Sequence, residues 1–550
     1  MCFPMGNWLN YNFFSADDIM EQRKILSGDE AVAYAALACG VTLGSGYPGT
    51  PSTEVLETLA SIGGPAEWSP NEKVALEVGA GVAVAGGRSL VTMKHVGVNV
   101  AADPLFTLTY MGVNGALVLL TADDPGMGSS QNEQDNRNYA KFAMMPMLEP
   151  SDSQEAYDFA IRAFKLSEEF RVPVMFRMTT RVCHSRGPVT LLAENEPRKI
   201  GNYIRDVKTK VMIPAYAKKA HVRLVKSMAD LAAYNEAHAE LREVSGAPAE
   251  LGVITCGVAY QHVKEAAPDA AVLKLGMTWP LPMDAIRDFA AQCKRVIVVE
   301  EGSRFLEENI LAAGIGIERK DEIFEYGELN VARVKKLLAH DSSPDAVGAP
   351  GRPPALCPGC PHRKTYEVLR DMGCIVAGDI GCYTLGVLPP FEALDCSICM
   401  GASIGAGLGM RHSLPEEQAR KVVSVIGDST FLHSGITGIL EMGYNKPATG
   451  HVVLILDNST TAMTGLQEHA ATGVHLDKSD APKVSLEALC KAAGADNVDV
   501  VDQVREQEAF RALLEQRLAS NDVSVIIARN PCILQLKKLA KQRTREEKQS

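Results

Sequence analysis

Apolar residues in this chain recur in two periods that alternate along its length. Short runs such as "SLVTMKHV", "GALVLLTA" and "VPVMFRM" are strand-like, while "DEAVAYAALACG" and "NEKVALEVGAGVAVAG" carry the spacing of helices. That alternation, over the first 190 or so residues, predicts a parallel sheet covered by helices. A charged stretch from Glu194 to Glu243, mostly helical in pattern, follows as a bridging arm. A second α/β unit begins near Leu251 with "ELGVITCG" and closes after "CKRVIVVEEG", by about His340. The segment "HDSSPDAVGAPGRPPALCPGC", dense in Pro, Gly, Ala and Asp, reads as a linker. A third unit occupies roughly 355 to 535. The expected fold is therefore α/β, as three consecutive units: 1–192, a helical linker over 193–249, 250–340, a linker over 341–355, 356–535, and a basic tail over 536–550.

Composition narrows the class. A chain of 550 residues is too long for one core. Its net charge of −12 argues against nucleic acid as the main partner. The tail "KKLAKQRTREEKQS" is the basic exception, and its acidic interruptions suit a frayed, solvated end. The apolar runs are far short of the ~20 residues that span a bilayer, and "MCFPMGNWLNYNFF" lacks the cationic start of a signal peptide. Thirteen cysteines, an odd number without a secretory leader, point to a reducing compartment, by default the cytoplasm, and to thiolates available for metal.

The sharpest chemistry lies in "KVVSVIGDSTFLHSGITGILEMGYNKPATGHVVLILDNSTTAMTGLQ". The apolar strand "VVSVI" delivers Gly427, Asp428 and Ser429 to its carboxyl end, where α/β ligands bind. A helical pattern over Phe431 to Tyr444 intervenes, and "HVVLIL" then delivers Asp457 and Asn458 to the same rim. A carboxylate, an amide oxygen and a backbone carbonyl are the hard ligands that Mg²⁺ needs, with diphosphate oxygens completing an octahedron. Gly427 allows close approach to the anion, and the following helix offers its N-terminus. On the Asp and Asn alone, an ordinary βαβ unit with a turn Asp and an Asn cap is the commoner arrangement.

The cysteines add a second theme. Cys357 and Cys360 in "LCPGCPHR" form a Cys-x-x-Cys that by itself suits a zinc half-site, a redox pair or half an iron–sulfur site. Cys382 ends "VAGDIGCYTLG" and Cys532 ends "VSVIIARNPC", so all four can lie at one edge of the third unit. Four thiolates suit a [4Fe–4S] cluster. The rival pair, Cys396 and Cys399 in "DCSICMGASIG", reads as buried thiols near the diphosphate.

The 427–458 stretch resembles the thiamine-diphosphate motif, with Ser429 in place of its second glycine and Asp457 in place of its first asparagine. "DNSTTAMTGLQ" is similar to the corresponding stretch of 2-oxoacid:ferredoxin oxidoreductases, which implies Thr460 as a third Mg²⁺ ligand. "SGYPGTPSTEV" resembles the "YPITPSS" loop of that family's pyrimidine domain, implying that Thr50 contacts cofactor or substrate. "EVGAGVAVAGG" resembles the opening of its catalytic helix, implying Glu77 as the acid that assists thiazolium deprotonation through the pyrimidine ring. Glu72, five positions earlier, competes with it, since five residues do not share one helix face. His95 and Arg137, in polar loops after strands, could meet a 2-oxoacid carboxylate, Arg through a bidentate fork. Arg181 and His184 receive no role.

The resemblance also implies that Cys357, Cys360, Cys382 and Cys532 hold one [4Fe–4S] cluster, and that residues 250–340 form a transketolase-C-like domain. "SGYPGTPSTEV", "CPGCPHR" and "MGASIG" point to the indolepyruvate-type alpha subunit, here without that type's ferredoxin tail. The implied reaction is oxidative decarboxylation of a 2-oxoacid, by resemblance an aryl pyruvate, with coenzyme A. Its products are acyl-CoA, CO₂ and reduced carriers. The implied partners are a small beta subunit and a ferredoxin or other electron acceptor, in a heterodimer of dimers. A cluster near the thiazolium is what a simple decarboxylase does not need. The alternatives are therefore a non-oxidative thiamine-dependent decarboxylase, and a subunit that only scaffolds a complex.

Overall fold

A computed structural model describes residues 22–192, 194–345 and 354–549, with side chains to 541; Cys2, the N-terminal segment and most of the 341–355 linker lie outside the described residues. Among the described residues, three large sheets follow one another along the chain, and Gln22–Ser27 pairs with Arg186–Leu191 in a small two-stranded one. The first has seven strands in the order Met277–Trp279, Met147–Leu148, Val174–Thr179, Ala116–Asp123, Arg88–Lys94, Leu43–Gly46, Ala66–Trp68. Six of these are parallel, and the central strand Ala116–Asp123 is buried at every position. Continuous rather than alternating hydrophobicity is what a parallel sheet covered on both faces requires.

The third sheet repeats that construction. Six parallel strands run Cys396–Ser397, Ile375–Gly378, Val422–Gly427, His451–Asp457, Val523–Arg529, Asn497–Val501. Register pairing of Gly427 with Leu456 brings the ends of the two inner strands side by side. The middle sheet has four strands, Cys293–Val299, Ala249–Cys256, Ala271–Leu275 and Arg242–Ser245, the last antiparallel.

Two connections depart from the expected modular layout. The arm is a 24-residue helix, Pro214–Ala237, but it ends in the strand Arg242–Ser245, which belongs to the middle sheet. The middle unit in turn lends Met277–Trp279 to the first sheet, antiparallel to Met147–Leu148. These edge strands cover hydrogen-bonding groups that a sheet would otherwise leave open. The tail also differs from the expected frayed end: Ile533–Gln549 is a helix that starts directly after Cys532.

Three helices of the first unit matter below: α1 (Gly28–Ala38), α2 (Thr53–Ser61) and α3 (Glu72–Val84). The first is held by a capping box in which Ser27 accepts from the Glu30 N–H and the Glu30 carboxylate accepts from the Ser27 N–H. Asn71 caps α3 by accepting from the Val74 N–H, and its amide also donates 2.8 Å to the His433 carbonyl in the third unit. The same cap thus sets where α3 begins and ties it to the neighbouring unit.

Candidate active site

The carboxyl ends of the first and third sheets face each other across a cleft of about 530 Å³. Its walls include Tyr47 and Pro48 from the first unit and Gly381, Cys382, Asp428, Ser429, Asn458 and Thr460 from the third. Asp428, Asn458 and Thr460, proposed from sequence as metal ligands, are thus brought together by the adjacent parallel strands. All three are buried. The Asp428 carboxylate accepts from the Ser459 N–H at 2.8 Å and stands 3.3 Å from His469 Nε2. Burial raises its pKa, but the His469 charge and hydrogen bonds outweigh this and hold the carboxyl below its usual range. Asp457 is displaced the other way, raised by burial and by the Asp428 charge, although Arg529 Nε donates to it at 2.7 Å.

Gly427 is needed for a reason the sequence did not suggest. A Cβ there would lie 2.6 Å from the Tyr383 ring, so glycine also makes room for an aromatic side chain. Immediately beyond, Phe431–Gly435 forms one turn of π-helix inside the helix that runs to Tyr444. Such turns often occur at functional sites. This one carries His433, which is buried and whose Nε2 is 2.8 Å from Glu72 Oε2 across the domain boundary. Tyr47 joins the contact from the other side, its hydroxyl 2.8 Å from Ser429 Oγ and its ring edge-on to His433 at 4.8 Å.

The two glutamates weighed as the acid are placed differently. Glu77 lies on the solvent face of α3, with 44% of its side chain exposed, in an ion pair with Lys73. Glu72, at the first turn of the same helix, is 5% exposed and points into the interface. The small residues after Glu77 serve helix–sheet packing instead: a Cβ at Gly79 would meet Val91 at 2.4 Å. Thr50 is half-buried and does not line either cavity at this boundary, whereas Tyr47 and Pro48 line both.

The two expected substrate contacts are also corrected. Arg137 is fully buried, and its guanidinium donates to Asp135 at 2.6 Å, Glu300 at 2.6 Å and the carbonyls of Glu301 and Ser303. Every arm of the fork is taken, so it holds the first unit to the middle unit and has no donor left for a ligand. His95 is buried with Nε2 3.2 Å from the Asn132 carbonyl, and burial lowers its pKa. It lines neither cavity at the domain boundary.

Behind the cleft lies a second pocket of about 460 Å³, walled by Cys357, Cys360, Cys382 and Cys532 together with His362 and Asn458. Burial, and then the proximity of the other thiols, pushes Cys382 up to about 12; burial pushes Cys360 up to about 11. Cys382, Asn458 and Ala462 belong to both walls, so the pockets share a partition one side chain thick. The Cys532 N–H donates to the Asn458 carbonyl at 3.0 Å, which couples the last strand to the cofactor loop. Among the described residues, the group of His, Cys, Asp or Glu ligands meeting within 4.8 Å is elsewhere, at Asp29, Glu54 and His184. Cys399 is exposed rather than buried, while Met400 beside it does line the cleft.

Sequence reasoning missed His433, His469, His362 and Tyr47. Tyr47, His362 and His433 sit inside phrases it had singled out, but nothing there marked them as site residues. His469 lies just beyond the last of those phrases.

The chain matches two family models, "Pyruvate flavodoxin/ferredoxin oxidoreductase, thiamine diP-bdg" over residues 34–245 and "Thiamine pyrophosphate enzyme, C-terminal TPP binding domain" over 379–528. It is 40% identical to indolepyruvate oxidoreductase subunit IorA of Archaeoglobus fulgidus, over 94% of this chain and 88% of that one. Against the same subunit of Pyrococcus abyssi the identity is 37%, over 95% and 88%. The 2-oxoglutarate synthase subunit KorA of Methanothermobacter marburgensis matches at 26% over 55% of this chain and 98% of its own. No helix among the described residues is long and apolar enough to cross a membrane. The paired cofactor domains and these relatives together make the chain a member of the indolepyruvate oxidoreductase subunit IorA family, within the thiamine-diphosphate-dependent 2-oxoacid oxidoreductases.

Proposed function

We propose that this subunit oxidatively decarboxylates an aryl 2-oxoacid of the indolepyruvate kind with coenzyme A, releasing acyl-CoA and CO₂. Electrons would leave through one [4Fe–4S] cluster on Cys357, Cys360, Cys382 and Cys532. The observation that carries the reading is the shared partition: Cys382 and Asn458 line both the cofactor cleft and the four-thiol pocket. A redox centre there is within contact distance of the cofactor, which a non-oxidative decarboxylase does not require.

The residues present fit both groups. Asp428, Asn458 and Thr460 would hold Mg²⁺ by hard oxygen atoms, and Gly427, Ser429 and Thr430 offer a helix start to a diphosphate. Four thiols lining one pocket suit a [4Fe–4S] cube, one thiolate to each of its four irons. Bound there, thiamine diphosphate supplies a carbanion nucleophile and an electron sink. Glu72 takes the acid's role, its carboxylate fixed against His433 and screened from water by Tyr47. Asn71 and His433 hold α3 at the cleft, so the acid is positioned by backbone as well as side chain. Electrons would pass on to a ferredoxin or a partner subunit, with a small beta subunit completing a heteromer.

Iron and acid-labile sulfide in anaerobically purified protein test the reading. About four irons per chain are expected; none would remove the oxidative step and leave a decarboxylase.

A further inference from the structure

A candidate cation site at the start of α2 borders a pocket that shares no lining residue with the cleft, and it does not rest on the function proposed above. Asp29 in the first turn of α1, Glu54 in the first turn of α2 and His184 at the end of the short helix Thr180–His184 each offer one ligand atom, all within 4.8 Å of one another. The His184 Nε2 lies 3.8 Å from Glu54 Oε2.

What separates this group from an ordinary surface ion pair is Asp29. Its side chain is fully buried, yet neither carboxylate oxygen accepts an N–H or O–H hydrogen bond. Only the Cys183 thiol, a weak donor, comes near it. Buried carboxylates are normally satisfied, and one aimed at two other ligands with both oxygens free is an exception that asks for a cause. Glu54 and His184 remain half-exposed and border an open cleft of about 780 Å³, which gives an ion a route in and leaves room for water ligands.

We propose that Asp29, Glu54 and His184 bind a divalent cation of intermediate hardness, Mn²⁺ or Zn²⁺. One imidazole with two carboxylates is a donor set that these ions accept, whereas Ca²⁺ would want oxygen alone. The site has a structural consequence. Glu57, one turn beyond Glu54, accepts 2.9 Å from the Gln467 amide, and the Gln467 carbonyl accepts 3.1 Å from Thr460 Oγ1. A cation fixing the start of α2 would therefore brace the loop that carries a proposed Mg²⁺ ligand.

The test is Mn²⁺ binding to chelator-stripped full-length protein without thiamine diphosphate, followed by the EPR signal of free Mn²⁺, with Zn²⁺ calorimetry in parallel. Wild type, Glu54→Gln, His184→Ala and, as a control at the cleft, Asp428→Ala are compared. Both test substitutions fall on half-exposed side chains, and circular dichroism melts check the fold. The expected result is one site per chain with either ion in wild type and Asp428→Ala. It should weaken at least tenfold in Glu54→Gln and His184→Ala. Equal affinity in all four proteins, or no site at millimolar ion, overturns the proposal and leaves a hydrated His184–Glu54 pair beside a neutral Asp29.

Discussion

The first unit presents two polar faces, one to the middle unit and one to the third, and they are built in opposite ways. Toward the middle unit, Arg137 and Arg177 are sunk among Asp123, Asp135, Glu149 and Glu300, with ion pairs of 2.5 to 2.7 Å. All but Asp135 are buried; the Arg137 guanidinium is spent within the network, and Arg177 donates to Asp123 and Glu149. Toward the third unit the contacts are few: Tyr47 to Ser429, Asn71 and Glu72 to His433, and Glu57 to Gln467. They ring a cleft instead of filling one. A dense network of ion pairs fixes two bodies together, while a sparse set of contacts leaves space between them for a ligand.

The contrast breaks most visibly at Glu72. Glu72→Gln should lower 2-oxoacid turnover by about 10²- to 10⁴-fold while thiamine diphosphate still binds, whereas Glu77→Gln should leave steady-state rates unchanged. Retained turnover in Glu72→Gln would return the acid to another residue. On the face toward the middle unit, Arg137→Met should cost about 3–5 kcal/mol in denaturant melts, because it strands buried carboxylates. The KM for substrate should not move in the folded fraction. A large rise in KM with unaltered stability would restore Arg137 as a substrate contact.

Glu301 sharpens the same face through pH. Burial raises its carboxyl from an ordinary value of 4.5 to about 7, so the folded protein holds a proton that the unfolded chain has released. The stability this contributes is fully present below pH 4.5 and lost as pH rises to about 7. Relative to Glu301→Gln, the wild type should therefore lose about 3 kcal/mol across that window, read from melts at stepped pH. A flat difference would show that Glu301 titrates normally. The smallest effect is expected from Tyr47→Phe, which removes one hydrogen bond to Ser429 worth about 0.5–1.5 kcal/mol. Cofactor affinity should fall a few-fold, measured by quenching or calorimetry, with the melting temperature nearly unchanged.

Much of this site was legible because it hangs on strand ends. Gly427, Asp428 and Asn458 follow continuous apolar runs, and in a parallel sheet such runs leave little choice about which residues reach the carboxyl rim. The four cysteines were legible for the same reason, as Cys382 and Cys532 follow strand ends and Cys357 and Cys360 lie in the Cys-x-x-Cys loop before the unit's first helix. Glu72 and Glu77 share one helix with a nearly uniform apolar pattern, and periodicity could not say which side faced a neighbouring unit. Arg137 was misread because a loop arginine looks the same whether it meets solvent, substrate or another domain.

By itself, then, the sequence determined the three α/β units, the pairing of Asp428 with Asn458 and the gathering of the cysteines. Each follows from local hydrophobic runs and short connections. Only the tertiary structure decided that Glu72 and not Glu77 is buried against the third unit, that His433 meets it there, and that Arg137 is consumed as a strut. Those outcomes depend on contacts between residues hundreds of positions apart, such as Glu72 with His433 and Arg137 with Glu300. A hydrogen bond across a domain boundary leaves no periodic trace in either segment, because its partners are set by how the sheets dock and not by how each one forms.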